Sequence, residues 1–174
     1  LTELALHVPE LGELDFRQKL LSDPESMSYN KGYRLKSPGY HNDTGCIDFP
    51  REDWDGWYAR WVGAEPERFY AYLKDKSSGS FVGEVSLHET DGPGVYEMGI
   101  VLHSSQRGRG YSHEGIRLLL EHAFGELHAG EVTNCFEPTR RAALKIHLGA
   151  GFEIVREENS LLYLNIKSNS FKEV

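Results

Sequence analysis

The chain has 174 residues, 39% apolar and 26% charged, a balance that fits one globular domain with a sizeable core. Lys and Arg number 19 against 27 Asp and Glu, and the resulting net charge of −8 argues against non-specific nucleic-acid binding while suiting cationic acceptors such as amines. Two cysteines far apart, Cys46 and Cys135, no Cys/His cluster and no apolar run near the ~20 residues of a membrane span predict no disulfide framework, no metal and no membrane segment, and fit a reducing cytoplasm.

In chain order, Leu4 to Val8 reads as a first strand. Leu11 to Ser22 carries a rough helical stripe of Leu11, Leu14, Phe16, Leu20 and Leu21, ended by Asp23-Pro24. Met27 to Pro50 is irregular and rich in Gly, Asn, Asp and Tyr. A loop of that length in a compact domain is either functional or hides short elements. Arg51 to Val62 places Trp54, Trp57, Tyr58 and Trp61 on one helix face. Trp54 and Trp57 are expected to pack that helix onto a sheet, although a cleft lining is the alternative.

The second half alternates cleanly. Phe69 to Lys74, Phe81 to His88 and Val95 to Leu102 read as strands, with turns at Ser78-Gly79 and Asp91-Gly92. Gly110 to Phe124 is a helix, because Ile116, Leu119, Leu120, Ala123 and Phe124 recur at helical offsets. Glu131 to Phe136 is a strand, Arg140 to Leu148 a helix closed by Gly149 and Gly151, and Phe152 to Arg156 and Leu161 to Ile166 are the last strands. The fold class is α/β (α+β). The order predicts a single mixed sheet with helices on both faces.

One stretch stands out between the third strand of that series and the long helix: Arg107-Gly108-Arg109-Gly110-Tyr111-Ser112. A helix start leaves about four N–H groups without helical partners, and with the helix dipole they form an anion site. Glycines let the backbone approach a phosphate, and arginines add charge-assisted hydrogen bonds. The stretch lacks the Gly-Lys-[Ser/Thr] ending of a P-loop and the spacing of a dinucleotide fingerprint.

The pattern [Arg/Gln]-x-x-Gly-x-[Gly/Ala], placed after a strand and opening a long helix, resembles the acetyl-CoA loop of the GCN5-related N-acetyltransferase (GNAT) superfamily. Ser112 stands where that family prefers Gly or Ala. The preceding Glu97-Met98-Gly99-Ile100-Val101-Leu102-His103 resembles the strand of the subgroup that includes ribosomal-protein N-terminal acetyltransferases. The run Ala143 to Phe152 resembles the family's fourth helix with its closing Gly-Phe.

The resemblance implies a GNAT fold over residues 1–174: one mixed, mostly antiparallel sheet of about six to seven strands flanked by about four helices. Residues 1–66 would be the variable acceptor side and 69–166 the acetyl-CoA-binding core. It implies transfer of an acetyl group from acetyl-CoA to a primary amine, of a small molecule or of a protein, by direct attack. A non-catalytic acyl-CoA-binding or sensor module of the same fold is the alternative. Neither a metal nor nucleic acid is implied, and the chain would act as a monomer or homodimer.

Residue by residue, the resemblance places the pyrophosphate on the amides from Gly108 to Ser112, with Tyr111 among them and Arg107 and Arg109 nearby. Backbone groups of Val101, with Ile100 and Leu102 beside it, would pair with the pantetheine arm. Arg140 takes the place of a family Asn on the cofactor arm, and could instead reach a phosphate or pair with Glu137. His147 stands where the family places a Tyr to protonate the leaving thiolate; a satisfied core histidine is the alternative reading. Glu97 is the first candidate for the general base, because a carboxylate near mid-strand needs a partner or a task. Glu84 is a second candidate and a possible neighbour that would raise one pKa. Tyr29 and Tyr33, on the irregular segment, are candidates for acceptor contact.

Overall fold

The computed structural model describes residues 3–172. The first half supplies β1 (Leu4–His7), α1 (Leu14–Leu21), the short α2 (Pro24–Met27) and α3 (Trp54–Trp61). A meander follows: β2 (Arg68–Asp75), β3 (Phe81–Glu89) and β4 (Val95–Leu102). Helix α4 (Tyr111–Gly125) leads to β5 (Glu131–Phe136), α5 (Arg141–Gly149), β6 (Glu153–Glu158) and β7 (Leu161–Lys167). The seven strands form one sheet in the order β1-β2-β3-β4-β5-β7-β6, and only the β4–β5 pair is parallel. Among the described residues, no helix is long and apolar enough to cross a membrane.

Alternation along the strands divides the core into two layers. On β2, Phe69, Ala71 and Leu73 point toward α4, while Tyr70 and Tyr72 point toward α1 and α3. Ile116, Leu119, Leu120 and Ala123 of α4 are all essentially inaccessible to solvent, which explains their helical spacing. At about 25 cal/mol per Å² of apolar area, each such leucine contributes roughly 2 kcal/mol. Trp54 and Trp57 are buried in the second layer with Phe49 and Tyr70, as their packing role predicts.

Two local readings change. Asp23-Pro24 does not merely end α1; it starts α2. The Asp23 carboxylate accepts from the Ser26 amide at 3.1 Å, and Pro24 takes the first helical position. The segment from Met27 to Pro50 is a compact loop that bonds to itself. The Tyr40 hydroxyl donates to the Asn30 carbonyl at 2.6 Å, and Tyr40 bridges Ile47.

The relation of β4 to β5 positions the site. Their register holds for three residues, Val95 with Glu131, Tyr96 with Val132 and Glu97 with Thr133, and stops there. Beyond Glu97, residues 98–102 and 134–136 form facing walls of an open cavity rather than a ladder.

Candidate active site

The cavity between the diverging strands measures about 850 Å³. Its walls are β4 and β5, its far end is Gly108 and Ser112 at the start of α4, and α5 closes one side. Tyr29, beyond α2, lies at its margin.

The β3–β4 ladder decides which backbone groups face this space. The His103 N–H donates to the Val82 carbonyl, and the Thr90 N–H donates to the Val95 carbonyl, each at 2.9 Å. Backbone direction alternates in an antiparallel pair. Residues 95, 97, 99, 101 and 103 therefore turn their N–H and C=O groups toward β3. Met98 turns its groups to β5 and closes the last rung with Thr133, while Ile100 and Leu102 turn theirs toward the opening, where β5 no longer pairs. This moves the expected backbone contact from Val101 to its two neighbours. Val101 keeps only its side chain in the second core layer.

At the far end, Gly110 precedes α4 with φ 78°, and no side chain caps the helix. Gly108 also has a left-handed φ, 79°. These two turns fold the chain so that the first amides of α4 open on the cavity. Gly115, one turn further on, sits so close to the sheet that a Cβ there would meet Leu73 Cδ1 at 2.7 Å. That close approach seats α4 on the sheet.

Among the side chains of the loop, that of Arg107 lines the cavity. Arg107 donates to the carbonyls of Glu25 at 3.0 Å and Ser26 at 3.4 Å, so its guanidinium ties the loop to α2. Arg109 is exposed and is not part of the cavity lining. Tyr111 is buried, and its hydroxyl donates to Asp75 at 3.0 Å. Only its amide is left for a ligand. Arg140 does line the cavity, with its guanidinium 5.2 Å from the Tyr29 ring centre and 5.4 Å from that of Phe136. It makes no ion pair with Glu137.

His147 lines the cavity, yet both ring nitrogens are engaged. Nδ1 lies 2.7 Å from the Ala143 carbonyl, which can only accept, so Nδ1 carries the proton. Nε2 then accepts from the Asn134 amide at 3.0 Å. Burial between Phe136 and Phe152 holds the pKa below the ordinary 6.5. This is a neutral imidazole with no proton to spare, and the geometry matches the core-histidine alternative.

Glu84 and Glu97 lie on the same face of the sheet but are not neighbours. Glu84 pairs with Val101, and Glu97 pairs with His88, four positions along the ladder. At about 3.4 Å per residue, that is about 14 Å. Glu84 accepts both contacts from Arg17 Nη1, at 2.9 and 2.7 Å, and a hydrogen bond from the Tyr70 hydroxyl. The Arg17 guanidinium rests 4.2 Å from the Trp57 ring centre. Glu97 is the last β4 residue paired with β5; it adjoins Met98 of the cavity lining but is not itself part of that lining. Among the described residues, its carboxylate has no hydrogen-bond or ion-pair partner. Burial, and secondly the Glu97 charge, push the nearby Cys135 thiol up.

Tyr29 sits between charges. Although the residue is 37% exposed, crowding of its phenol by neighbouring protein and then the Glu84 charge push its pKa up, against the pull of Arg140 and Arg17. Tyr33 lies on an exposed part of the loop, away from the cavity lining. Arg17 and Asn134 escaped the sequence reading, because nothing in a lone arginine or asparagine announces a partner on another element. The capping role of Asp23 also escaped that reading, which takes Asp23-Pro24 only as a helix end, although Asp-Pro followed by an acidic residue is a helix-start signature.

The fold and this split-strand cavity define an acyltransferase architecture. The chain belongs to the GNAT acetyltransferases: the family model described as an Acetyltransferase (GNAT) domain matches residues 4–153. Solved structures share the fold at low identity. An acetyltransferase (GNAT family) from Bacillus anthracis is 17% identical, with 96% of each chain covered and a TM-score of 0.74. Spermidine N-acetyltransferase from Vibrio cholerae, solved with CoA and spermine, is 17% identical, with 98% of each chain covered and a TM-score of 0.77. FdhC, described as a nucleotide-linked sugar GNAT, is 15% identical, with 97% of this chain and 89% of that chain covered and a TM-score of 0.73. No curated protein matches the sequence.

Proposed function

We propose that this protein transfers the acetyl group of acetyl-CoA to a primary amine by direct attack, with residues 69–166 holding the cofactor and residues 1–66 shaping the acceptor side. The observation that carries the proposal is the opening between β4 and β5, which leaves the backbone groups of Ile100 and Leu102 without a strand partner and runs to the uncapped start of α4. An amide-bearing arm can pair with the first as a strand would, and a pyrophosphate suits the second. The phosphate end lies at Gly108 to Ser112, and the thioester points toward the closed end, beside Glu97.

In this arrangement Glu97 takes a proton from the acceptor ammonium, and the freed amine attacks the thioester carbonyl; the carbon–sulfur bond then breaks, CoA leaves as the thiolate, and the nitrogen's remaining extra proton passes to the thiolate or to water. An N–H of Ile100 or Leu102 stabilises the oxyanion. Arg140 lies along the cofactor arm, and Tyr29 borders the acceptor. Tyr33 and the loop around it contribute to acceptor choice from outside the cavity. Glu84 supports the site through Arg17 rather than as the base. A non-catalytic acyl-CoA-binding module is the second reading, favoured by the engagement of both His147 nitrogens.

Thermal stability with acetyl-CoA tests the cofactor site. Ligand at ~100 times its dissociation constant adds about 2.7 kcal/mol. Gly110→Pro, which cannot adopt a positive φ, abolishes that gain. Equal stabilisation of both proteins overturns the loop assignment. CoA release with a panel of amines separates enzyme from module, since binding without release with any amine supports the module.

A further inference from the structure

The turn leading into the phosphate loop is knotted to α2. A single oxygen, Asp23 Oδ2, accepts from the Ser26 amide at 3.1 Å, from the Ser26 hydroxyl, and from the Ser104 hydroxyl at 2.7 Å. The Ser104 amide donates back to Ser26 Oγ at 2.8 Å. His103 Nε2 stands 3.7 Å from the same Asp23 oxygen. Arg107 closes the knot from the other side, on the carbonyls of Glu25 and Ser26. Ser26 is 1% exposed, while Asp23 and Ser104 are half-buried. Burial works to raise the Asp23 pKa, but the Ser26 and Ser104 hydrogen bonds outweigh it and hold it down at about 2.

We propose that Asp23, Ser26 and Ser104 are positioning residues that lock the phosphate-binding loop to the acceptor-side wall, so that the cofactor cradle and the Tyr29 wall are built together. The inference rests on the acetyl-CoA reading above. Three features lead to it. Arg107, the basic residue that opens the loop, lines the cavity and at the same time tethers the loop to α2 through Nη2. Helix α2 has four residues, too few to stand alone, and runs through the turn Ser28–Asn30 that carries Tyr29. Tyr29 in turn lies beneath Arg140 of the opposite wall. A displacement of the Ser104 turn is therefore felt at Tyr29 through Asp23 and Ser26. By linkage, whatever orders one wall favours ordering of the other.

Ser104→Ala tests this. It removes the Ser104 hydroxyl bond across the knot but leaves the Asp23 cap of α2 and the Ser104 amide in place. Two readouts are taken: CoA affinity by titration calorimetry, and amide hydrogen exchange with and without CoA. In the wild type, CoA slows exchange both at 107–112 and at 24–30. In Ser104→Ala, CoA binds about 10-fold more weakly, the worth of one hydrogen bond to a charged group. The slowing at 24–30 is lost while that at 107–112 remains. Asp23→Asn keeps an acceptor oxygen and falls between the two proteins. It also carries the test, by the same readouts, if Ser104→Ala is poorly folded. Unchanged affinity and unchanged slowing at 24–30 in the variants overturn the knot alone. A wild type that does not bind CoA overturns the cofactor reading, and this inference with it.

Discussion

Asn134 of β5 and His147 of α5 are joined by a 3.0 Å hydrogen bond on the wall of the cavity, and the same imidazole holds the Ala143 carbonyl through its other nitrogen. The ring thus ties the strand that leaves the sheet to the helix that closes it. Its burial and its fixed tautomer make it a strut.

His147→Ala is expected to cost about 2–4 kcal/mol, because it opens a cavity and leaves the Asn134 amide without its partner. Urea denaturation measures this. The pH dependence has a definite sign. The folded pKa lies below the ordinary 6.5, so both states are neutral above that pH. As pH falls from 6.5 toward the lower folded value, the unfolded chain takes up a proton that the folded ring refuses, and stability drops. The wild type should lose melting temperature over that window, and His147→Gln should lose less. Equal losses would show that the imidazole does not titrate in the way its burial dictates.

The Arg17–Glu84 pair predicts an asymmetric response. Its side chains are 15% and 13% exposed, so removing one partner strands the other charge away from water. Glu84→Gln or Arg17→Met alone should each cost about 3 kcal/mol. The double variant Arg17→Met, Glu84→Leu should recover much of that loss, since the aromatic surround of Phe49, Trp57 and Tyr70 accepts an apolar pair. Denaturant midpoints of the three proteins decide it.

Gly83→Ala tests how tightly β3 and β4 are pressed together beside the cavity. An added Cβ would drive into the Val101 carbonyl oxygen, with Leu102 Cα also 3.1 Å away. Both obstacles are backbone, so the strands must part. The expected cost is about 1–3 kcal/mol. CoA affinity should fall with it, because Ile100 and Leu102 move with β4. Wild-type stability and affinity in this variant would mean that the strands yield freely.

Glu97→Gln should lower turnover by about 100-fold or more while leaving CoA affinity within roughly twofold. Steady-state kinetics with an active amine, beside calorimetric titration with CoA, separates the two effects. Unchanged turnover at every pH removes Glu97 as the base.

Much of the fold was legible in the chain because period and punctuation are local properties. Leu119, Leu120 and Ala123 announced α4 by spacing, and Glu131 to Phe136 announced β5 by composition and bounds. The glycine turn at 108–110 was legible for the same reason, since a positive φ before a helix is a demand on residue type. The role of the neighbouring side chains was not. Whether Arg107 meets a phosphate or a carbonyl depends on what packs against the loop, and that is α2, 81 residues away in the Ser104–Asp23 contact.

By itself, then, the sequence determined the alternation of strands and helices, the anion-ready helix start, and which strand face each residue of Val95 to Leu102 occupies. Only the tertiary structure decided that Ile100 and Leu102, rather than Val101, turn their backbone groups to the cavity. It also decided that His147 is held by Asn134, and that Glu84 is matched by Arg17 from 67 residues away. Side-chain direction follows from the local two-residue period. The use of a polar group follows from its partner, and partners are brought together by ladder register and helix docking rather than by spacing along the chain.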